Sequence, residues 1–402
     1  VFPNWDPLTM PLLIAVLRRE GFDARLLTET PLAIRTSMRH NTGQCIPINA
    51  IAEEYIEFIR TEGLDPERTV LWMLESSLAC NIKLYPYFIK SLLEANGDGM
   101  EKAGVYLGEF SYFDLSPTVT LNAYFAYLFG GTLRRLGCRT RPYETEPGRT
   151  DRTIVEAREV LVRAFSGEES LESAIGRVFA MFEAIPKREE QRPKVAIFGD
   201  LYVRDNEVMN QDIIRTIEQA GGEVITTPYS EYIRIISNAV FKRMFKNREY
   251  LGLLKYRSLL ATMEFLEKRY APYFGGAFPE WRERSKHRLP WDRTQPPLDE
   301  EALLGRFGVR LEHDGESFDN LLKIFRIMRE YPDVSLFVQT NPAFCCPSLV
   351  TEAMAREIES VTGVPIVTIT YDGTGSFKND LVVPYLKYPR KQSAGAAVST
   401  VG

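Results

Sequence analysis

The sequence predicts an α/β protein with two doubly wound parallel-sheet domains and a helical insertion in the second. Three observations lead there. Helical and extended signals alternate along the chain, which implies parallel sheets covered on both faces. Apolar runs such as Lys194-Val195-Ala196-Ile197-Phe198 end in Gly199-Asp200, the pattern of a strand buried on both sides. A charged and polar run, Lys187 to Pro193, interrupts the alternation, and a second alternating unit starts straight after it.

In chain order, Leu8 to Arg19 reads as a helix and Ala24 to Thr28 as a strand. Ile46 to Thr61 is a helix, Thr69 to Leu74 a strand, and Tyr85 to Ala95 a helix. Gly104 to Gly108 is the next strand, followed by a helix from Leu115 to Leu136. Ser116 suits the N-cap of that helix and Pro117 its first turn. The uncharged stretch Leu115 to Leu133 could just cross a bilayer by length. Its Ser, Thr, Asn and Gly-Gly content predicts a buried helix of a soluble protein instead. Arg152 to Ala164 and Leu171 to Ala184 are charged amphipathic helices. Beyond the break, Asn206 to Ala220 reads as a helix and Glu223 to Thr227 as a strand. Tyr229 to Tyr270 is a long helical region, and Pro272 to Pro297 an irregular connection. Helix Phe318 to Glu330, strand Val334 to Gln339, helix Ser348 to Val361 and strand Pro365 to Thr370 follow, with Asp380 to Tyr388 as a closing helix. The expected domains are residues 1–190 and 191–390, the latter with an insertion at about 229–330. Residues 391–402 are expected to be disordered.

Composition narrows the function classes. The chain is 45% hydrophobic and 26% charged, which excludes low-complexity disorder, collagen and a small disulfide scaffold. A net charge of −5 does not suit a polyanion binder, so no nucleic-acid partner is expected. The basic cluster from Lys242 to Arg257 reads as a solvated helical face. No membrane association is expected. The chain starts at Val1, so a fragment or a processed product is expected. Three His argue against a His-rich metal centre, and five Cys indicate a reducing compartment, hence a cytoplasmic location. The sequence contains no P-loop, no strand–GxGxxG–helix unit, no HExxH, no CxxC and no GxSxG.

The cysteines carry the main clue. Cys45, Cys80 and the pair Cys345-Cys346 each sit where a turn or strand end gives way to a predicted helix. Such positions stabilise negative charge and favour the thiolate. Thiolates are what an iron–sulfur cluster requires. Taken alone, each of these thiols could equally be a small buried hydrophobe, and Cys138 is expected to be one. Asp200, Arg204, Asn206 and Glu207 follow a strand end and read either as caps and mutual partners or as ligand contacts. Asp372-Gly373-Thr374-Gly375 is a turn whose backbone could also approach an anion. Gln44 and Asn81 flank two candidate ligands and could hydrogen-bond cluster sulfurs. His40 reads as a surface-loop residue, with a ligand role the lesser alternative.

Four segments together resemble a known family. They are Asn41 to Pro47 (NTGQCIP), Phe198 to Glu207 (FGDLYVRDNE), Asn341 to Met354 (NPAFCCPSLVTEAM) and Thr370 to Gly375 (TYDGTG). The chain resembles the cluster-bearing part of the 2-hydroxyacyl-CoA dehydratase superfamily over nearly all its length to about Tyr388. It looks closest to the activase-related branch and is similar also to double-cubane-cluster proteins. The resemblance implies two α/β domains and a [4Fe–4S] cluster held by one Cys from each of three loops. It assigns Cys45 and Cys80 as the first two ligands. The third is Cys345, after Phe344, with Cys346 a close rival. It further implies an oxygen-sensitive, anaerobic redox protein supplied with low-potential electrons by an ATP-dependent activase. That activase would be another chain or a missing part of a longer one. In the dehydratases the electron generates a ketyl radical on a 2-hydroxyacyl-CoA, which eliminates water. In the double-cubane proteins two clusters are joined by a sulfide and small molecules are reduced. A bridged pair would use two sets of three thiols, so a homodimer is expected. Three readings stay open: an electron-transfer reductase, the acyl-CoA dehydratase component, and a non-catalytic domain of a larger activase-related protein.

Overall fold

The structure is a computed structural model and describes residues 1–75, 80–109, 112, 114–277, 299–310 and 316–388. It is a mixed α/β fold with only parallel sheets among the named strands. The first half runs α1 (Met10–Arg19), α2 (Pro31–Ser37), α3 (Ile46–Thr61), β1 (Val70–Glu75), α4 (Tyr85–Asn96), β2 (Gly104–Glu109), α5 (Pro117–Thr140), α6 (Arg149–Phe165) and α7 (Leu171–Glu183). The second begins with β3 (Lys194–Gly199), α8 (Ile213–Gln219), β4 (Glu223–Ile225), α9 (Tyr229–Lys246), α10 (Tyr250–Glu267) and α11 (Ala271–Ala277). It continues with α12 (Glu300–Arg306), α13 (Glu316–Glu330), β5 (Val334–Pro342), α14 (Cys346–Ala353), α15 (Ala355–Thr362), β6 (Ile366–Tyr371) and α16 (Val383–Lys387).

The larger sheet has the order β4-β3-β5-β6. Its side chains alternate between two cores, as the pleat requires. Ala196, Phe198, Phe337 and Ile366 pack on one face with α12 and α13. Val195, Ile197, Leu336, Val338, Val367 and Ile369 pack on the other with α8, and with Ile34, Ile46 and Ala50 from α2 and α3. That second core joins residues from both sides of the Lys187–Pro193 break. A third core is helical: α1, α5, α6 and α7 enclose Leu161, Phe129 and Phe165, and Met263, Tyr270 and Phe274 of α10 and α11 close it.

The expected strand Ala24 to Thr28 forms one parallel bridge only, Phe2 to Leu26. Val1 in turn bonds Val70 and Trp72 of β1, so residues 1–2 lie between the 25–27 segment and the two-stranded sheet β1-β2. Helix α8 starts at Ile213 rather than Asn206. Asn206 Oδ1 accepts from the Val208 and Met209 amides and Asn210 Oδ1 from Ile213, so side chains cap turns where a helix was expected. Gln211 and Asp212, both with positive φ, complete that break. The region Tyr229 to Tyr270 is two helices, split at Arg248, whose φ is 63°. The helix expected over Ser348 to Val361 divides at Met354. The connection expected from Pro272 begins instead with helix α11. Residues 278–298 of it, and the tail 391–402, lie outside the described residues.

Helix α5 starts as its sequence dictates, with Ser116 Oγ accepting from the Val119 amide (3.0 Å) and Pro117 in the first turn. Gly130 and Gly131 let neighbours close in: a Cβ there would lie 2.1 Å from Thr9 Oγ1 and 2.4 Å from Pro228 Cβ. No helix among the described residues is long and apolar enough to cross a membrane.

Candidate thiol site between the cysteine loops

Each cysteine loop is shaped by its own sequence. Asn41 and Gln44 fold the 41–44 turn on itself. Asn41 Nδ2 donates to the Gln44 carbonyl (2.9 Å), and Gln44 Oε1 accepts from the Thr42 amide (2.8 Å). Gln44 Nε2 donates to the His40 carbonyl and to Asn49 Oδ1. The turn delivers Cys45 to the N-cap of α3, buried, with Pro47 in the first turn. Cys80 holds the equivalent place ahead of the short 3₁₀ helix Asn81–Leu84, which leads into α4. Residues 76–79 before it lie outside the described residues. At the end of β5, the Ala343 amide donates to the Tyr371 carbonyl of β6 (2.8 Å). Phe344 then takes a left-handed φ of 65°, and Cys345 caps α14.

These three loops meet. Cys345, the Tyr85 hydroxyl, Asp200 and Cys80 all act on the Cys45 thiol. Cys45, Cys345 and Tyr85 share one buried apolar cluster. Cys345 Sγ lies 3.7 Å from Asp200 Oδ2. Asn81 Nδ2 reaches across to the Phe344 carbonyl (3.4 Å) and to Cys346 Sγ (3.8 Å). Cys345 is buried and Cys346 exposed, so the adjacent pair presents one thiol inward and one outward. None of the five cysteines is in a disulfide.

Asp200 is held by the end of β3. Gly199 has a φ of 124°, and a Cβ there would lie 2.4 Å from the Thr340 carbonyl oxygen, so only glycine lets β3 finish so close to β5. Asp200 Oδ1 accepts from the Tyr202 and Val203 amides, both at 2.9 Å, leaving Oδ2 for Cys345. The site thus lies at the carboxyl ends of parallel strands, where α/β folds gather their ligands.

The electrostatics differ from the thiolate expected at a helix N-terminus. The neighbouring Cys345 pulls the Cys45 thiol down, but burial and the Asp200 carboxylate push it up, and the net direction is up. Burial likewise pushes Asp200 up against its two backbone hydrogen bonds. Desolvation in this dry pocket outweighs the helix end. A metal ion, by contrast, deprotonates a thiol that coordinates it outright.

The other candidates have identifiable partners. Arg204 pairs with Asp205 (2.8 and 3.0 Å) and lies over the Tyr229 ring. Asn206 bonds Glu29, and Glu207 pairs with Arg134. Gln44, expected to face a sulfur, is turned into its own loop because the turn backbone takes its amide. His40 meets Glu53 (3.2 Å) beside Arg39. Cys138 is a core residue among Val195, Ile197 and Ile217, and burial pushes its thiol up to about 12. Asp372 Oδ1 caps its turn at Thr374, and Oδ2 pairs with Lys378 (2.8 Å).

Sequence reasoning missed two things. Tyr85 gave no signal, being one tyrosine among many at a helix start. The arginines at the end of α5 did give one, as charges closing a long uncharged run. Arg134 is buried and bonds Asp6 (2.7 Å), Glu207 (3.0 Å) and the Asp205 carbonyl (3.1 Å). Arg135 bonds Glu231 and the Thr226 carbonyl, and Arg141, just past the helix, bonds Glu218 and Asp151. These three cations tie α5 to the loops and helices of the second half.

The donor set is of a kind that soft metals and iron–sulfur clusters take: thiols from three loops, with the Asn81 amide directed at the Cys346 sulfur. Among the described residues no group of three His, Cys, Asp or Glu is arranged to hold a single ion. Compared with family models, curated proteins and solved structures, the chain matches none.

Proposed function

We propose that this chain is an iron–sulfur redox protein of the 2-hydroxyacyl-CoA dehydratase type, with Cys45, Cys80 and Cys345 as cluster ligands. One observation carries the reading. Thiols on three loops, two of them about 265 residues apart in sequence, converge on one point at the carboxyl ends of parallel strands. The burial of Cys345 against Cys45 and Asp200 supports it over Cys346 as third ligand. The apolar packing on both faces of β4-β3-β5-β6 supports a doubly wound second domain within a two-domain arrangement.

A bound [4Fe–4S] or double-cubane cluster would supply a low-potential one-electron site. The protein's own part is to position and desolvate. Tyr85 packs in one cluster with Cys45 and Cys345, Asn81 donates toward Cys346, and the surrounding apolar side chains keep water away. Exposed Leu84, Phe344, Leu349 and Val350 stand on the same loops and helices. They suit the docking of an electron-donating chain, which in this reading is the ATP-dependent activase. A cytoplasmic homodimer reducing a small molecule, or dehydrating an acyl-CoA, completes the proposal.

Anaerobic reconstitution followed by iron and sulfide analysis and EPR tests it. Bound iron and sulfide with a cluster spectrum are expected, lost in Cys45→Ser and in Cys80→Ser. Cys345→Ser should abolish the spectrum and Cys346→Ser should leave it. No spectrum in the wild type, or an unchanged one in Cys45→Ser, defeats the assignment.

The burial of Cys45 and Cys345 in one cluster favours a second reading, a dithiol redox pair. Oxidation would join the two sulfurs and release two electrons and two protons to a disulfide-bearing acceptor. Iron-free protein that loses two titratable thiols on mild oxidation, with Cys45 and Cys345 linked in a peptide map, would select it.

A further inference from the structure

Outside the thiol site, the charge of one buried carboxyl group acts on another, and no cation among the described residues is hydrogen-bonded to either. Glu29 lies just ahead of α2 and Glu54 in the middle of α3; they are 8% and 2% exposed. Glu29 Oε2 accepts from Asn206 Nδ2 and from the Tyr202 hydroxyl (3.3 Å). Glu29 Oε1 and both oxygens of Glu54 meet no donor among the described residues. The groups acting on the pair add no cation. Glu57, on the same helix as Glu54, adds repulsion. From the loop after β3 come only the Tyr202 hydroxyl and the Asn206 amide. Tyr229 acts on Tyr202, and the nearby Arg204 is held by Asp205. Arg39 and His40 are taken by Glu53.

Two ionised carboxylates in such a place would combine mutual repulsion with loss of hydration. A buried group in that position takes a proton instead. A protonated carboxyl also gains an O–H, the donor that the bare oxygens lack. We propose that Glu29 and Glu54 form a proton-binding site that retains at least one proton at neutral pH and so fastens α3 to the loop after β3.

Burial accounts for the direction: it pushes Glu29 up to about 7, against its two hydrogen bonds, and Glu54 well above the carboxylate range. The placement gives the site its consequence. Cys45 caps the helix that carries Glu54, and the loop bearing Tyr202 and Asn206 opens with Asp200, which touches Cys345. Losing the proton puts like charges into the joint that aligns both thiols.

The sign follows from linkage. A carboxyl whose folded pKa is raised binds more protons folded than unfolded, so stability falls as pH rises from its unfolded value through the folded one. For Glu29 that window runs from about 4.5 to about 7, with about a tenfold loss in the folded-to-unfolded ratio per pH unit.

The test is urea unfolding of the full chain between pH 5 and pH 8, with infrared spectra at pH 7. The wild type should show the carbonyl band of a buried protonated carboxyl, and Glu54→Gln should weaken it. Glu54→Gln should also be the more stable protein at pH 8 and lose stability less steeply with pH; Glu29→Gln should flatten the same window. Absence of the band from the wild type at pH 7 overturns the proposal, whether or not either variant folds. So does a Glu54→Gln profile that parallels the wild type at every pH. Neither readout involves iron, so the outcome stands apart from the cluster assignment.

Discussion

The helical core and the joint between the halves are both dry, and they are built from opposite materials. Around Phe129, Leu161 and Phe165 the filling is apolar, and aromatic rings meet edge-on, as Phe129 does with Phe165 and Tyr270. At the joint the filling is ionic and polar: Arg134 against Asp6, Asp205 and Glu207, Arg204 against Asp205, and Glu29 beside Glu54. Apolar packing stabilises whichever way side chains interlock, within limits. Buried ion pairs add little net stability, because desolvation offsets their attraction, but each tolerates few geometries. The helical core holds the fold up, whereas the joint fixes where the cysteine loops stand.

The largest effect should come from unbalancing the joint. Arg134→Met leaves Asp6 without its cation, and a loss of about 3–5 kcal/mol in urea unfolding is expected. Adding Asp6→Asn should recover part of it; a double variant no better than the single one would break the distinction drawn above. In the helical core, Leu161→Ala should cost about 2–5 kcal/mol through lost transfer energy and a cavity. It should leave the reactivity of Cys45 and Cys345 toward a thiol reagent unchanged below its melting range, whereas Arg134→Met should raise it.

The smallest effect belongs to a surface turn. Asp372 loses some hydration, yet Lys378 and Thr374 hold its carboxyl down to about 2. A depressed folded pKa gives stability that is present above the ordinary value of 3.8 and lost as pH falls through about 2. Asp372→Asn should therefore narrow the gap between neutral and acid stability in that window alone, read by acid titration of the circular dichroism. The side chain is partly exposed, so solvent screening keeps the change small.

The same contrast separates what the amino-acid sequence makes legible from what it hides. The alternation of β3, β5 and β6 with helices is legible because each strand is an apolar run bounded by Gly, Pro or Asp. Helix α3 has the bounds its periodicity gives, Ile46 to Thr61. The convergence of Cys45, Cys80 and Cys345 is legible only as three similar local settings; nothing in their spacing brings them together. Asn206 to Asp212 misleads because helix periodicity persists where Asn side chains cap turns. Arg134, Glu29 and Glu54 are opaque for a general reason. A charged residue carries no local mark of burial, and its partners lie up to 177 residues away, as Glu29 and Asn206 do.

The distribution of the thiols over the chain sets a clock for biosynthesis. Cys80, the later of the first two thiols, leaves the ribosome 265 residues before Cys345, an interval of roughly 13–50 s at ordinary elongation rates. Throughout it the first two thiols lack their third companion, and for the first 120 residues of it they also lack the β3 turn that supplies Asp200. Whatever all three thiols hold together must be loaded after Cys345 has emerged. Until then Cys45 and Cys80 depend on the reducing power of their surroundings.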